Sequence, residues 1–354
     1  MAKSDLVLLK GFNPDEVRGL VIRPTDDMEV YAVPERGLEV LDVLIDGRPV
    51  MYRNPAGHRS WRSWRGSGLN PLVHIEAAFT AGLENAGAPE GILPLHGTFS
   101  VTPARQWRKT PAGGVTGTID CRRMVIGPSI VVERTIEPVP GKRAFRIIDD
   151  LHSEVGSDYM WLYHPNFPVG EGTEFVCSER LVVPRDDGIA KWGLRAYRTF
   201  CCVGRGHTRF PPSTDAEGVE RENFEQCFIM SVEPDAEGLV RAMLRAADRQ
   251  SAAYIAYNVN HFQPSQRAFQ LWKNPRDAVS GLEVGNTFLG WSYAAEHDLL
   301  CHLQRGQRHH YELEIGFLTT AEEVAAFAAA MPMVAEPALK VMDKKTMVAV
   351  YGGR

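Results

Sequence analysis

The chain consists mostly of short apolar segments that are interrupted by polar and turn-forming residues. In residues 129–137 and 143–149, β-branched and polar side chains alternate, which is the period of a strand with one buried face. Turn-forming residues separate such segments, for example at Asp46-Gly47. Strands are predicted at residues 19–22, 29–33, 38–45, 118–126, 130–136 and 143–151.

The order of these elements favours a mainly β fold. The predicted strands do not alternate with helical segments, as a βαβ protein would require. Many short strands with turns at every roughly 8–12 residues are typical of a sandwich or a barrel. No internal repeat or linker-like break interrupts the chain, so residues 1–354 are expected to form one domain.

Two later segments carry helical features. Residues 319–331 begin at a threonine, continue with Glu322 and Glu323, and then run through an alanine-rich stretch up to a proline. They are predicted to form a short C-terminal helix. Residues 235–249 also have helical propensity, but residues 239–247 fit a strand equally well, so the pattern leaves both open.

Composition and charge exclude several classes of protein. The hydrophobic fraction is 44% and the charged fraction is 23%, as in soluble globular proteins. The net charge of −5 comes without a basic run, which disfavours nucleic acid as a partner but leaves an acidic small molecule open. No apolar run approaches the roughly 18 residues that span a membrane, so no membrane partner is expected.

The cysteines and the N-terminal residues bear on the compartment. None of the six cysteines forms a C-x-x-C pair, and the first ten residues lack the apolar core of a signal peptide. Reduced thiols in a cytoplasmic protein are therefore expected. Exposed sheet edges can pair, so a homodimer is one possible assembly.

Residues 280–290 (SGLEVGNTFLG) place one carboxylate, Glu283, in an apolar run that is bounded by glycines. Carboxylates are rarely buried unless they are paired or functional. Desolvation would raise the pKa of Glu283 toward the range that suits a general base. A structural ion pair or an exposed strand position is the alternative, and the sequence does not decide between them.

Residues 79–97 form a segment that is rich in glycine and proline, contains Asn85 and ends in His96-Gly97. So many turn-forming residues indicate a loop that shapes a cleft rather than a packing element. Gly97 permits a ligand or the backbone to approach closely. His96 and Asn85 are therefore expected to bind substrate, although a histidine with a purely structural role is the common alternative.

His164 ends an apolar strand-like segment and precedes Pro165-Asn166. The proline favours an extended residue before it, which gives His164 a defined direction. A histidine at a strand end beside aromatic residues can serve as a general acid near neutral pH. Asn166 is expected to bind substrate beside it, and a buried histidine bonded to the backbone is the alternative.

Aromatic and basic side chains alternate in two further segments. Residues 61–68 (WRSWRGSG) contain Arg62 and Arg65, and residues 270–274 (QLWKN) contain Trp272 and Lys273. An indole can stack on the apolar face of a sugar, and a cation can bind a hydroxyl or a carboxylate. Arg65, Trp272 and Lys273 are expected to bind substrate, but core indoles with solvated charges are equally consistent with the pattern.

The chain lacks the common cofactor motifs. It contains no G-x-G-x-x-G sequence, P-loop or G-x-S-x-G elbow, which disfavours nucleotide cofactors and serine hydrolysis. His302, His309 and His310 lack a metal-ligand spacing and are predicted to flank a polar hairpin. Neither a cofactor nor a metal is therefore expected.

Several segments, taken in order, resemble the aldose 1-epimerase (galactose mutarotase)-like superfamily, and in particular its branch known as DUF4432, a domain of unknown function. The matching segments span nearly the whole chain in the expected order. They are PERGLEVLDV at 34–43, AGLENAGAP at 81–89, LPLHGTFSVTPA at 93–104, LYHPNF at 162–167, QLWKN at 270–274, LEVGNT at 282–287 and RHHYELEIGFL at 308–318.

The resemblance implies a β-supersandwich of large twisted antiparallel sheets and a cofactor-free sugar mutarotase or epimerase. In such enzymes a glutamate takes the proton of the anomeric hydroxyl while a histidine protonates the ring oxygen. By position Glu283 corresponds to this base and His164 to this acid. His96 corresponds to a histidine that holds the sugar, and Glu225 to an aspartate that binds hydroxyls.

The chain departs from the usual family pattern beside both histidines. Pro165-Asn166-Phe167 replaces an aromatic pair followed by Asn-Leu, and Glu84-Asn85 replaces an Asn-Arg pair. The substrate, an aldose or a sugar acid, therefore stays open. Two alternatives also stay open: a carbohydrate-binding protein without turnover, and a C-epimerase or lyase whose positive side chains Arg62, Arg65 and Lys273 grip a uronic acid.

Overall fold

The computed structural model describes residues 6–9, 17–55, 57–63, 75–122, 127–185, 198, 200, 213–214, 220–221, 226–263, 268–274, 277–285, 290–335, 337–340, 346 and 350. The first eleven described strands are β1 (Leu6–Leu9), β2 (Val17–Ile22), β3 (Met28–Val33), β4 (Glu39–Ile45), β5 (Arg48–Pro49), β6 (Ala78–Leu83), β7 (Ala104–Lys109), β8 (Val115–Asp120), β9 (Val131–Pro138), β10 (Ala144–His152) and β11 (Ser157–Pro168). Those that follow are β12 (Glu174–Cys177), β13 (Glu179–Pro184), β14 (Ser213–Thr214), β15 (Glu220–Arg221), β16 (Gln226–Val232), β17 (Leu239–Arg245), β18 (Ala252–Asn258), β19 (Ala268–Asn274), β20 (Val279–Gly285), β21 (Cys301–Leu303), β22 (Arg308–Leu318) and β23 (Ala338–Leu339). Two α-helices are described over their full length, α1 (Trp291–Glu296) and α2 (Ala321–Ala329).

Large antiparallel sheets contain nearly all of these strands, so the predicted mainly β class is confirmed. The predicted C-terminal helix is also confirmed as α2. Its capping box pairs Thr320 with Glu323: the Thr320 hydroxyl accepts from the Glu323 backbone N–H, and the Glu323 carboxylate accepts from the Thr320 N–H. These bonds satisfy backbone donors that the first helical turn leaves open, which fixes where the helix begins.

The described contacts group the chain into two compact units, each built from separate chain segments. The first unit contains residues 1–166, 260–266 and 285–316. In it β1, β2, β3, β4, β6 and β11 are successive sheet neighbours, and so are β7, β8, β9, β10 and β22. The buried indole of Trp161 on β11 lies in the core of this unit and packs against Phe99, Tyr163 and Tyr311. The prediction of one domain is not tested by this grouping and stays a prediction.

The second unit contains residues 167–259, 267–284 and 317–354. In it β20, β19, β16, β13 and β23 are successive neighbours, as are β12, β17 and β18. The β17 strand resolves the ambiguity at residues 235–249 in favour of a strand. It pairs with β12 on one side and β18 on the other, and this pairing overrides the helical propensity of its alanines and arginines.

A buried ionic network joins strands of the first unit. The Arg134 guanidinium donates to both carboxylate oxygens of Asp149, at 2.8 and 2.9 Å, and to Glu39 at 2.9 Å. It also donates to the Thr80 hydroxyl on β6, and Tyr163 on β11 donates to Asp149. Burial raises the pKa of Glu39 to about 7 despite the nearby arginine. These bonds fix β6 and β11 relative to each other.

The remaining sequence expectations were met to different degrees. The strand expected at residues 118–126 begins earlier, at Val115, and ends at Asp120, and residues 123–126 lie outside the described part of the chain. Cysteines of the described part are present as thiols rather than as disulfides; they are Cys121, Cys177, Cys227 and Cys301. Among the described residues, no helix has both the length and the apolar character needed to cross a membrane.

Candidate functional site

His164 lies on β11 in the first unit, directly opposite Phe79 on the antiparallel strand β6. The two rings stack with their centroids 4.6 Å apart and an interplanar angle of 21°. The side chain is buried, with 4% exposed. Burial lowers the pKa of His164 well below its usual range, and the nearby His96 lowers it further. The imidazole is therefore neutral at pH 7 in the unliganded protein.

His96 lies beside His164, because a tight loop returns the chain to β6. The centroids of the two imidazoles are 5.6 Å apart and the rings meet edge to face. His96 itself has a φ of 61°, and Gly97 has a φ of 70°. A Cβ on Gly97 would lie 2.3 Å from the Gly82 carbonyl oxygen, so only glycine fits there. The expectation that Gly97 allows a close approach is confirmed, and the approaching group is the backbone of β6.

The amides of Asn85 and Asn166 both bind backbone. Asn85 donates from Nδ2 to the carbonyl oxygens of Ala88 and Pro94, at 2.8 and 2.9 Å. Asn166 donates from Nδ2 to the Glu76 carbonyl at 2.9 Å and to the His164 carbonyl at 3.2 Å. Both asparagines are fully buried. They therefore hold the backbone around the two histidines, and their expected contact with substrate stays a prediction.

Glu283 lies on β20 in the second unit and is 1% exposed. The Gln270 side chain on β19 donates from Nε2 to Glu283 Oε2 at 2.8 Å. Gln270 is also buried. Of the two alternatives for Glu283, an exposed strand position is therefore wrong. The hydrogen bond orients the carboxylate, because a neutral amide donor restricts one of its two oxygens.

Trp272 and Lys273 follow on β19 and point to opposite faces. Strand alternation puts Trp272 on the face of Gln270, where it is partly exposed. Lys273 is buried on the other face, opposite Gln226 of β16, and its Nζ lies 4.2 Å from the ring centroid of Phe200. Of these two residues, Trp272 is therefore the one that shares a face with Gln270, which binds Glu283.

The basic segment at residues 61–68 is only partly described. Arg62 is 69% exposed along its side chain and pairs with Glu35 at 3.2 Å. Arg65 and Glu225, both expected to bind substrate, lie outside the described residues. The roles expected for Arg62, Arg65 and Glu225 therefore all stay predictions.

Sequence reasoning missed Phe79 and Gln270. Gln270 is two residues before Trp272, so strand alternation alone could have placed it on the face of the indole. Phe79 opens the segment that ends at His96, and its partner His164 is more than eighty positions away. No local pattern indicates that pairing.

Each unit, taken by itself, holds a distinct chemical group. The first unit holds two imidazoles, one of them buried and neutral, against a phenyl ring. The second holds a buried, oriented carboxylate on β20 and a partly exposed indole on the neighbouring strand β19. Imidazole and carboxylate are the side chains most used for proton transfer, and an indole suits the apolar face of a sugar.

Solved structures show which class of fold this is. A proposed aldose 1-epimerase from Klebsiella pneumoniae matches with a TM-score of 0.78 and 20% identity, over 95% of this chain and 89% of its own. A galactose mutarotase related enzyme from Lactobacillus acidophilus matches with a TM-score of 0.55 and 12% identity, over 85% and 97%. A proposed mutarotase from Salmonella typhimurium matches with a TM-score of 0.53 and 10% identity, over 89% and 97%. The fold is therefore galactose mutarotase-like.

The family is shown by the sequence. The model of the domain of unknown function DUF4432 matches residues 15–317, and the chain belongs to this family. No curated protein matches the sequence significantly. The DUF4432 branch that the sequence motifs indicated is thus confirmed, and the solved structures confirm the galactose mutarotase-like fold.

Proposed function

We propose that the protein is a cofactor-free sugar mutarotase that acts on an aldose or a sugar acid. Glu283 is the general base and His164 the general acid. The mutarotase-like fold supports the reaction class, and the family match at residues 15–317 covers both residues. His96 holds the sugar beside His164, and Trp272 stacks on its apolar face.

In the proposed reaction, ring opening transfers two protons and breaks one bond, and ring closure re-forms that bond with the reverse proton transfers. Glu283 accepts the proton of the anomeric hydroxyl while His164 donates a proton to the ring oxygen. The bond between C1 and the ring oxygen breaks and C1 becomes a carbonyl carbon. Rotation about the C1–C2 bond and the reverse proton transfers then close the ring as the other anomer. Nothing is oxidised or reduced, so the chemistry needs no redox cofactor.

The observation that carries the proposal is the burial of Glu283 together with its hydrogen bond from Gln270. Burying a carboxylate is costly unless it is paired or has a function. The hydrogen bond from the Gln270 amide holds one carboxylate oxygen of Glu283 and so orients the group. A base that must take one proton from a weakly acidic hydroxyl benefits from both features.

Because His164 is neutral in the free protein, only a minor fraction of the molecules carries the proton that the acid must donate. A general acid must carry the proton that it donates, and burial disfavours the protonated imidazole in the free protein. The active fraction of the free enzyme is then the minor, protonated one. The rate of anomer exchange is therefore expected to increase as the pH falls toward the lowered pKa of His164.

The experiment is an anomer-exchange assay on a panel of sugars. The full-length protein is added to equilibrated glucose, galactose, glucuronate and glucose 6-phosphate, and exchange between anomers is measured by magnetisation-transfer NMR. Acceleration of exchange for at least one sugar supports the proposal. Thermal stabilisation by a sugar without any acceleration would instead indicate a binding protein and overturn it.

A further inference from the structure

We propose that His261, His310 and Glu312 bind a divalent transition-metal ion, of which Zn²⁺ is the representative probe. All three residues belong to the first unit. One ligand atom from each lies within 4.8 Å of those of the other two. Two imidazoles and one carboxylate form a ligand set that suits zinc and other borderline divalent ions.

The backbone places two of these ligands side by side. His310 and Glu312 are two residues apart on β22, so strand alternation turns both to the outer face of the sheet. The intervening Tyr311 points inward and is buried. His261 ends a 3-10 turn and meets His310 with ring centroids 5.0 Å apart at an angle of 82°. The two rings therefore meet edge to face and are not stacked.

The spacing is close to that of a metal site. Three atoms that lie within 4.8 Å of one another share a point at most about 2.8 Å from each, and zinc bonds to nitrogen and oxygen are about 2.0–2.2 Å long. Side-chain shifts of less than about 1 Å therefore bring all three groups to bonding distance. Three protein ligands leave at least one coordination position for water or an anion.

The Asp150 carboxylate contacts His310 in the way that a carboxylate often supports a metal-binding histidine. Asp150 Oδ1 lies 2.9 Å from His310 Nδ1, and the two residues face each other in the register of β10 and β22. A histidine that donates one ring N–H to a carboxylate presents its other nitrogen with a fixed orientation and greater basicity. Nε2 of His310 is thereby the nitrogen that faces the ion.

Other charged groups surround the cluster. Arg146 Nε contacts Glu312 Oε1 at 3.2 Å, and it also donates to Glu314. A carboxylate has two oxygens, so Glu312 can keep this contact and still bind an ion. Glu133 lies opposite Asp150 in the register of β9 and β10 and adds negative charge on this side. The proposal departs from the sequence expectation that no metal is bound, because His261 is far from the other ligands along the chain.

The test is calorimetric titration of the chelator-treated full-length protein with Zn²⁺. The wild type is expected to bind one ion per chain. Glu312→Gln and His261→Ala should weaken binding at least tenfold, and Asp150→Asn should weaken it about 10–100-fold because it changes only the outer partner. The near-isosteric Glu312→Gln and Asp150→Asn keep the fold, which the melting temperature of the metal-free proteins checks.

His302→Ala is the matched control. His302 is an exposed histidine whose Nδ1 lies 2.6 Å from Asp158, so it reproduces the histidine–aspartate pair outside the cluster. Unchanged Zn²⁺ affinity in His302→Ala together with losses in the cluster variants supports the site. The proposal is overturned if the wild type does not bind Zn²⁺, if the cluster variants bind as tightly as the wild type, or if His302→Ala loses as much affinity as they do.

Discussion

Gln270 donates a 2.8 Å hydrogen bond to the Glu283 carboxylate, and both side chains are buried on neighbouring strands of the second unit. The bond from Gln270 orients the carboxylate and lowers the cost of its burial. Gln270 is accordingly a positioning residue for the proposed base. Its contribution can be separated from that of Glu283 itself.

The first prediction concerns this bond. Gln270→Leu should lower the free energy of unfolding by about 1.5–3 kcal/mol, because a buried charged acceptor loses its donor. Urea unfolding of Gln270→Leu, Glu283→Gln and the double variant gives the coupling energy between the two side chains. A coupling energy of at least about 1 kcal/mol is expected for a charged hydrogen bond, and one near zero would show that the bond is not significant.

The second prediction concerns the loop that presents His96. Gly97→Ala should destabilise the protein by several kcal/mol, roughly 3 or more, because its Cβ would lie 2.3 Å from the Gly82 carbonyl oxygen and its φ is 70°. Gly91→Ala is the matched control in the same loop. Gly91 also has a positive φ, 55°, but no atom of the described residues lies within 4 Å of the added Cβ.

Only the cost of the left-handed backbone, about 1 kcal/mol, is therefore expected for Gly91→Ala. Thermal unfolding of both variants measures the difference. Equal losses of stability would show that the packing of Gly97 against β6 does not constrain the loop.

The third prediction concerns stability and pH. The pKa of His164 in the folded protein is lowered by burial, so below about pH 6.5 the unfolded chain binds a proton that the folded protein does not. The free energy of unfolding therefore falls as the pH decreases from about 6.5, by up to about 1.4 kcal/mol per pH unit from this group. It is unaffected by this group at higher pH.

His164→Gln is the comparison for this effect, since glutamine does not titrate. The lowered pKa values of His261 and His309 act in the same direction in both proteins, so the difference between wild type and variant isolates His164. Urea unfolding between about pH 7.5 and pH 5 should show a steeper decline for the wild type. Parallel declines would contradict a buried, neutral His164.

The fold was more predictable than the contacts of the site. Alternation predicted residues 130–136 and 143–151, which the structure extends or shifts by one or two residues to Val131–Pro138 and Ala144–His152. Residues 239–247 stayed ambiguous because alanine, leucine and arginine favour helices, and only the pairing of Leu239–Arg245 with two other strands decides the matter. Such pairing depends on the register between distant segments.

The same limit applies to the candidate site. Glu283 and the two histidines stand out in the sequence, because a carboxylate in an apolar run and histidines beside glycine or proline are unusual. The hydrogen bond from Gln270 to Glu283 and the stacking of Phe79 on His164 cannot be recognised in the sequence, because each contact joins two different strands. Similarly, the turn that brings His261 to His310 is visible only in the structure.

The fourth prediction concerns activity and pH. On a sugar that the wild type converts, kcat/KM should increase as the pH falls from about 8 to about 6, by up to about tenfold per pH unit, because the protonated fraction of His164 increases. The pH dependence of kcat/KM reports the free enzyme, which is the state that the structure describes. A value that is constant or increases with pH over this range would exclude His164 as the acid.

The most direct test of the central claim is the anomer-exchange rate of Glu283→Gln. The variant keeps the shape of the side chain but removes the proposed base, so exchange catalysis should fall by about 10²–10⁴-fold while the fold is retained. Glu179→Gln is the matched control, since Glu179 is another buried glutamate of the second unit, paired with Arg198. It should exchange anomers at the wild-type rate. A folded Glu283→Gln protein that exchanges anomers as fast as the wild type would contradict the assignment of Glu283 as the base.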